Sequence, residues 1–73
     1  MKWDERKVDE AVLAVLYLTL HEEVRAWKTL DWETMDRLHS QGLISDPAGR
    51  SKSISFSEEG LRRAQEAGRR LFS

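Results

Sequence analysis

Two histidines, a run of carboxylates and three tryptophans are the side chains of this 73-residue sequence that could do chemistry. His21, with Glu22 and Glu23 beside it, and His39 are the candidates for metal ligation or proton transfer. Metal centres built by a single chain need ligands at fixed short spacings, and structural zinc sites draw heavily on Cys. The sequence has no Cys, and the two histidines fall into no zinc spacing. Acid–base chemistry would also need a nucleophile or a phosphate-cradling loop, and neither is present. The expectation is therefore no catalytic residue, no metal and no cofactor. His39 reads instead as a packed residue on the inner side of its helix.

The second set is cationic and aromatic. Arg25, Trp27 and Lys28 lie in a short irregular segment, and Arg50 and Lys52 stand at the tip of a hairpin. These five form the candidate interaction surface. An aromatic ring beside Arg is the composition of protein-interface hot spots. The same cations could neutralise three or four phosphates, which would give weak, salt-sensitive and sequence-independent binding of nucleic acid. Trp32 falls in a helical apolar pattern and reads as core, and Trp3 as part of a helix entry.

Charge separates these readings. Net charge is −1, which gives no global reason to expect a polyanion. Residues 1–46 hold six basic and ten acidic side chains, net −4, and residues 47–73 hold six and three, net +3. The basic third is muted by its own carboxylates. Glu58–Arg62, Glu59–Arg63 and Glu66–Arg70 are i,i+4 pairs with Glu on the favourable N-terminal side.

The elements that would position these residues begin from three helix starts of one kind. Asp4, Asp31 and Ser57 are N-cap types. Each is framed by an apolar pair, Trp3 with Val8, Leu30 with Met35 and Phe56 with Leu61, in the arrangement of a hydrophobic staple. The first helix spans about 4–20, with Val8, Val12, Val15 and Thr19 joined by Leu13, Leu16 and Leu20. Between Ala11 and Leu18 it is apolar on every side, which calls for burial all round or for a second subunit. Residues 21–30 are a short helix or loop, with room for a two-turn helix over 22–28. A helix over 31–41 places Trp32, Met35, Leu38 and His39 on one face and stops at Gly42, a left-handed C′ position. A hairpin spans 43–56. Its turn, Asp46-Pro47-Ala48-Gly49, has type I chemistry, and Ile54 and Phe56 alternate with Ser53 and Ser55. The last helix, 57–72, carries Gly60, Ala64 and Gly68 in a line that admits a close helix neighbour. That neighbour is either the first helix of the same chain, the favoured reading, or the equivalent helix of a second subunit.

One domain over 1–73 follows, of α+β class and mostly α. It has three main helices and a β-hairpin between the last two. A core of this size is thin, because so short a chain hides only roughly 60% of its unfolded surface. With the apolar first helix, this points to a homodimer. The apolar run 11–20 spans about 15 Å as a helix, half a bilayer, so no membrane is expected. Acidic residues before it are wrong for a signal peptide, and the location expected is cytoplasmic.

The order of elements, and the string HSQGLISDPAGRSKSISFSEEGLRRA over 39–64, resemble the wing region of many small bacterial regulators. KVDEAVLAVLYLTLH, Arg25-Ala26-Trp27-Lys28 and the stretch from Asp36 to Pro47 make nearly the whole chain similar to a family of small bacterial proteins known only as a domain of unknown function. The resemblance implies a winged-helix-like fold and a bacterial source, and no activity or site. In DNA-binding winged helices the helix before the wing enters the major groove. Here that helix carries Asp31, Glu33 and Asp36 against Arg37 alone, which phosphates would repel. The leading expectation is a non-enzymatic module for protein–protein interaction or dimerisation. The alternative is a transcription-factor-like DNA binder using the wing and the basic C-terminal third.

Overall fold

A computed structural model describes residues 2–20, 22–28 and 32–73. The Asp31 cap, the Leu30–Met35 staple and His21 lie outside the described residues. The elements run α1 (Glu5–Leu18), β1 (Arg25–Trp27), α2 (Trp32–Ser40), β2 (Ser53–Ser55) and α3 (Glu58–Phe72). This is a mostly helical α+β fold, compatible with a winged-helix-like layout.

Each end of α1 has a local cause. The Asp4 carboxylate accepts from the amides of Arg6 and Lys7, at 3.0 and 3.4 Å, satisfying two donors that the first turn leaves open. At the other end the Thr19 hydroxyl turns back to donate to the Leu16 carbonyl at 2.9 Å. The same oxygen accepts the Trp27 amide at 3.1 Å, so the end of α1 is fastened to β1. The helix thus stops at Leu18, two residues short of the expected boundary.

Residues 22–28 do not form the short helix for which the sequence left room. Glu22 and Glu23 take φ of 48° and 72°, left-handed values that reverse the chain. Residues 25–27 then form a strand. Arg25 pairs with Ser55, Ala26 with Ile54 and Trp27 with Ser53, antiparallel. Extended backbone prevails because β2 offers a ready ladder, and because alternation buries Ala26 and turns Trp27 outward.

The hairpin between α2 and α3 is present but short. It closes through an Ile44–Phe56 bridge and an amide–carbonyl bond from Ser45 to Ser55 of 2.8 Å. The returning segment therefore lies between β1 and residues 44–45. The Asp46 carboxylate accepts the Ala48 amide at 2.9 Å, and Pro47 is fully buried, which fixes the turn.

At the end of α2, Gly42 has φ +75°. Its amide bonds the His39 carbonyl at 2.9 Å, and the Leu43 amide bonds the Leu38 carbonyl at 3.0 Å. These two bonds are a Schellman cap, and Leu38 and Leu43 are both buried beneath it.

The core joins Leu13, Ala14 and Leu16 of α1 to Met35 and Leu38 of α2. Leu43, Ile44, Ile54 and Phe56 come from the wing, and Ala64 and Ala67 from α3. The small-residue line of α3 faces α1 of the same chain, with the Tyr17 ring 3.2 Å from where a Gly68 Cβ would stand. The apolar residues of α1 are not buried all round. Val15, expected in the core, is 43% exposed, and Leu18 is 66% exposed. Trp3 borders the same hollow as Val8 but stays exposed, whereas Phe56 is buried and Leu61 packs on the core.

Candidate interaction surface

The buried face of α2 is Thr34, Met35 and Leu38. At about 100° per residue, this face lies roughly 90–110° away from Trp32 and His39. Both are therefore exposed, His39 among them, and neither is the core residue expected of it. The displacement has a partner behind it. Thr34 accepts from Arg37 Nη2 at 2.9 Å, and Arg37 donates from Nε and Nη2 to Asp9 of α1 at 3.0 and 2.8 Å. Burying the hydroxyl and stem of this network, rather than the indole, sets the rotation of the helix.

Trp32, turned outward, meets the wing. Trp27, Lys28, Trp32, Gly49, Arg50, Ser51 and Lys52 line one shallow groove of about 480 Å³. Trp27 is 52% and Trp32 56% exposed. β1 supplies Trp27 through its outward position in the strand, the first turn of α2 supplies Trp32, and the wing tip supplies the cations.

Of the five residues expected to form an interaction surface, four meet here. Lys28 is also structural, because its amide donates to the Lys52 carbonyl at 3.0 Å and its Nζ to the Gly49 carbonyl at 2.7 Å. This pair of bonds holds the tip against β1. Arg50 and Lys52 are exposed and have no side-chain partner among the described residues. Arg25 is the exception. Its guanidinium donates to Ser51 at 3.1 Å and from Nε to Ser53 at 3.1 Å, with Glu22 at 3.7 Å. It braces the back of the wing and does not line the groove.

Sequence reasoning missed Trp32. Its signal was available: a tryptophan in the first turn, next to a cap, sits where the helix is least covered. The groove carries the charges of Lys28, Arg50 and Lys52, while Asp36, one turn beyond Trp32, adds a carboxylate to the exposed face of α2.

Three of the four arginines of α3 are occupied, and Arg69 is exposed without a side-chain partner among the described residues. Arg62 bonds Glu59 at 2.6 Å and Glu66 at 2.9 Å, and Arg63 bonds Glu59 at 2.9 Å. Arg70 reaches Glu10 of α1 at 2.5 Å, in place of the Glu66 expected from spacing. Glu58 is likewise not the partner of Arg62 that spacing proposed. The hydrogen bonds of Arg62, then Arg63, hold the Glu59 carboxyl below its ordinary range, and Glu59 raises Arg62 in turn. Among the described residues no group of three His, Cys, Asp or Glu could hold a metal ion, and no helix is long and apolar enough to cross a membrane.

Fold and surface together define a small helical domain with a short wing, in which one helix separates β1 from the wing. A family profile described as "Domain of unknown function (DUF6429)" matches residues 4–73, and the chain belongs to that family. It is 59% identical over 73 residues to "Uncharacterized protein y4hR" of Sinorhizobium fredii (strain NBRC 101917 / NGR234), covering 100% of this chain and 99% of the relative. No solved structure matches.

Proposed function

We propose that the chain is a non-enzymatic, winged-helix-like interaction module of the bacterial cytoplasm, homodimeric, that recognises a protein partner. The groove between Trp27 and Trp32, rimmed by Lys28, Arg50 and Lys52, carries this reading. Two half-exposed indoles on so small a surface lose little conformational freedom on binding and offer large apolar area. The cations beside them select the partner's charge. An acidic segment with an apolar side chain to seat between the rings fits both properties.

Nucleic acid would use the same rings for stacking and the same cations for phosphate. Against it stand Asp36 on the adjacent helix face and the engagement of Arg62, Arg63 and Arg70 of α3 by Glu59, Glu66 and Glu10. A fluorescence titration separates the two. An acidic peptide bearing Leu and Phe should shift the tryptophan emission saturably at about 0.15 M salt. Arg50→Ser/Lys52→Ser should weaken it, and a single-stranded oligonucleotide should not compete. Tight, steeply salt-dependent binding of the oligonucleotide with no response to the peptide would overturn the protein reading.

A further inference from the structure

The wing tip is an arch between two buried ends, Pro47 and Ser53–Ile54, and the residues from Ala48 to Lys52 between them are all exposed. Among the described residues, two cations hold this arch to the rest of the molecule. Arg25 of β1 donates to Ser51 and Ser53 from behind the wing. Lys28, just past β1, holds it from the groove side, with its amide on the Lys52 carbonyl at 3.0 Å and its Nζ on the Gly49 carbonyl at 2.7 Å. Gly49 adds no packing of its own, since even a Cβ there would meet only the Asp46 carbonyl, at 4.0 Å. Lys28 therefore both lines the groove and fastens the arch.

These two duties compete once an acid enters the groove. No carboxylate lines it: Glu33 opens on the hollow beside Trp3 instead, and Asp36 stands one turn beyond Trp32. A carboxylate offers the Lys28 ammonium a charge–charge attraction that the neutral Gly49 carbonyl lacks. The Gly49 bond is exposed, so water can take the place of the ammonium without leaving a buried acceptor unpaired. We infer that Lys28 is a latch opened by an acidic occupant, its ammonium passing from the Gly49 carbonyl to a carboxylate of the bound segment; this rests on the protein-binding function proposed for the groove. Arg25 does not follow. It faces Ser51 and Ser53, with Glu22 at 3.7 Å, and does not line the groove. The arch is then freed at Gly49 and still held at Ser51, and Arg50, between the two, is the cation whose position the latch controls. A segment without a carboxylate leaves the latch closed.

The carbonyl carbon resonance of Gly49 reads the latch, and Lys28→Met, which keeps an apolar stem and the backbone amide, removes it. Free wild type and free Lys28→Met should differ at Gly49. Saturated with the acidic peptide bearing Leu and Phe, the two should coincide, because neither then has an ammonium on that carbonyl. The same peptide with its acids replaced by Asn and Gln should leave them different. Lys28→Met should weaken binding of the acidic peptide by no more than about ten-fold, since the contact it removes is gained only by giving up another. A larger loss would mean that the ammonium is not engaged in the free protein, and would overturn the latch. Free forms that coincide overturn it too, whatever the groove binds. Forms that differ when free and still differ when saturated overturn the hand-over alone and leave the protein reading standing. No response of either form to the peptide overturns the protein reading and the hand-over together.

Discussion

Gly60 lies directly against the main-chain carbonyl of Leu43, so closely that a Cβ on it would stand 1.8 Å from that oxygen. The approach is enforced by Ser57, whose amide and hydroxyl both donate to the Leu43 carbonyl, at 3.0 and 3.3 Å. Its hydroxyl oxygen meanwhile accepts the Gly60 amide at 3.0 Å, capping α3. One serine therefore joins the start of the wing to the start of α3, and glycine is the residue that leaves room. Backbone on both sides cannot rotate away as a side-chain tip could. Gly60→Ala should destabilise by about 3 kcal/mol or more in urea denaturation. A loss under about 1 kcal/mol would show that the two segments separate easily.

Gly42 needs glycine for a different reason. Nothing lies within 4 Å of its would-be Cβ, so the only penalty is its φ of +75°. Gly42→Ala should cost about 1 kcal/mol, and Gly42→Asn less, because Asn tolerates left-handed backbone. Equal losses at positions 42 and 60 would contradict this separation of backbone strain from collision.

What the sequence made legible was chemistry within a few residues. The caps at Asp4 and Ser57, the left-handed Gly42 and the Pro47 turn depend on neighbours in the chain, and each lies where its residue types place it. The close packing of α3 on α1 was also readable, because glycine inside a helix needs a reason. β1 was not readable, since three residues become a strand only when Ser53–Ser55 lies beside them. The outward turn of Trp32 and His39 was hidden for the same reason: it follows from an Arg37–Asp9 contact spanning 28 positions. Of the five residues singled out by composition, four thus line one groove, while Arg25 lies outside it and Trp32, read as core, lies in it.

That contact should be measurable. Asp9 holds Arg37 with two hydrogen bonds to Oδ1, and Gln41 reaches its other oxygen at 3.4 Å, tying α1 to α2 in a half-buried setting. Asp9→Asn leaves the shape and removes the charge. A loss of about 1–2 kcal/mol is expected, as for a hydrogen bond to a charged group. Arg37→Met should cost a similar amount, and the double variant should lose less than the two losses added together. Strict additivity would mean the pair contributes no coupling.

Glu59 gives a pH signature with a definite sign. Its carboxyl is held below the ordinary carboxylate value by hydrogen bonds from Arg62 and Arg63. A lowered folded-state pKa stabilises above the unfolded value, and that contribution is lost as pH falls through the folded one. Glu59→Gln should therefore melt slightly below wild type at neutral pH and converge with it in acid. The site is exposed, so the difference should shrink with added salt. A gap that widens toward low pH would contradict the assignment.

The groove makes a prediction that needs no partner. Trp27 and Trp32 are open to solvent beside Lys28, Arg50 and Lys52, so anions should be concentrated near the indoles and cations depleted. In a Trp3→Phe background, which leaves only these two tryptophans, iodide should quench tryptophan fluorescence more efficiently than caesium. Arg50→Ser/Lys52→Ser should remove most of that preference while changing stability by no more than about 0.5 kcal/mol, since both side chains are exposed and unpaired among the described residues. The same ionic preference before and after the substitutions would mean that the wing does not set the potential at the rings. The groove would then lack the charge selectivity on which recognition of an acidic segment depends.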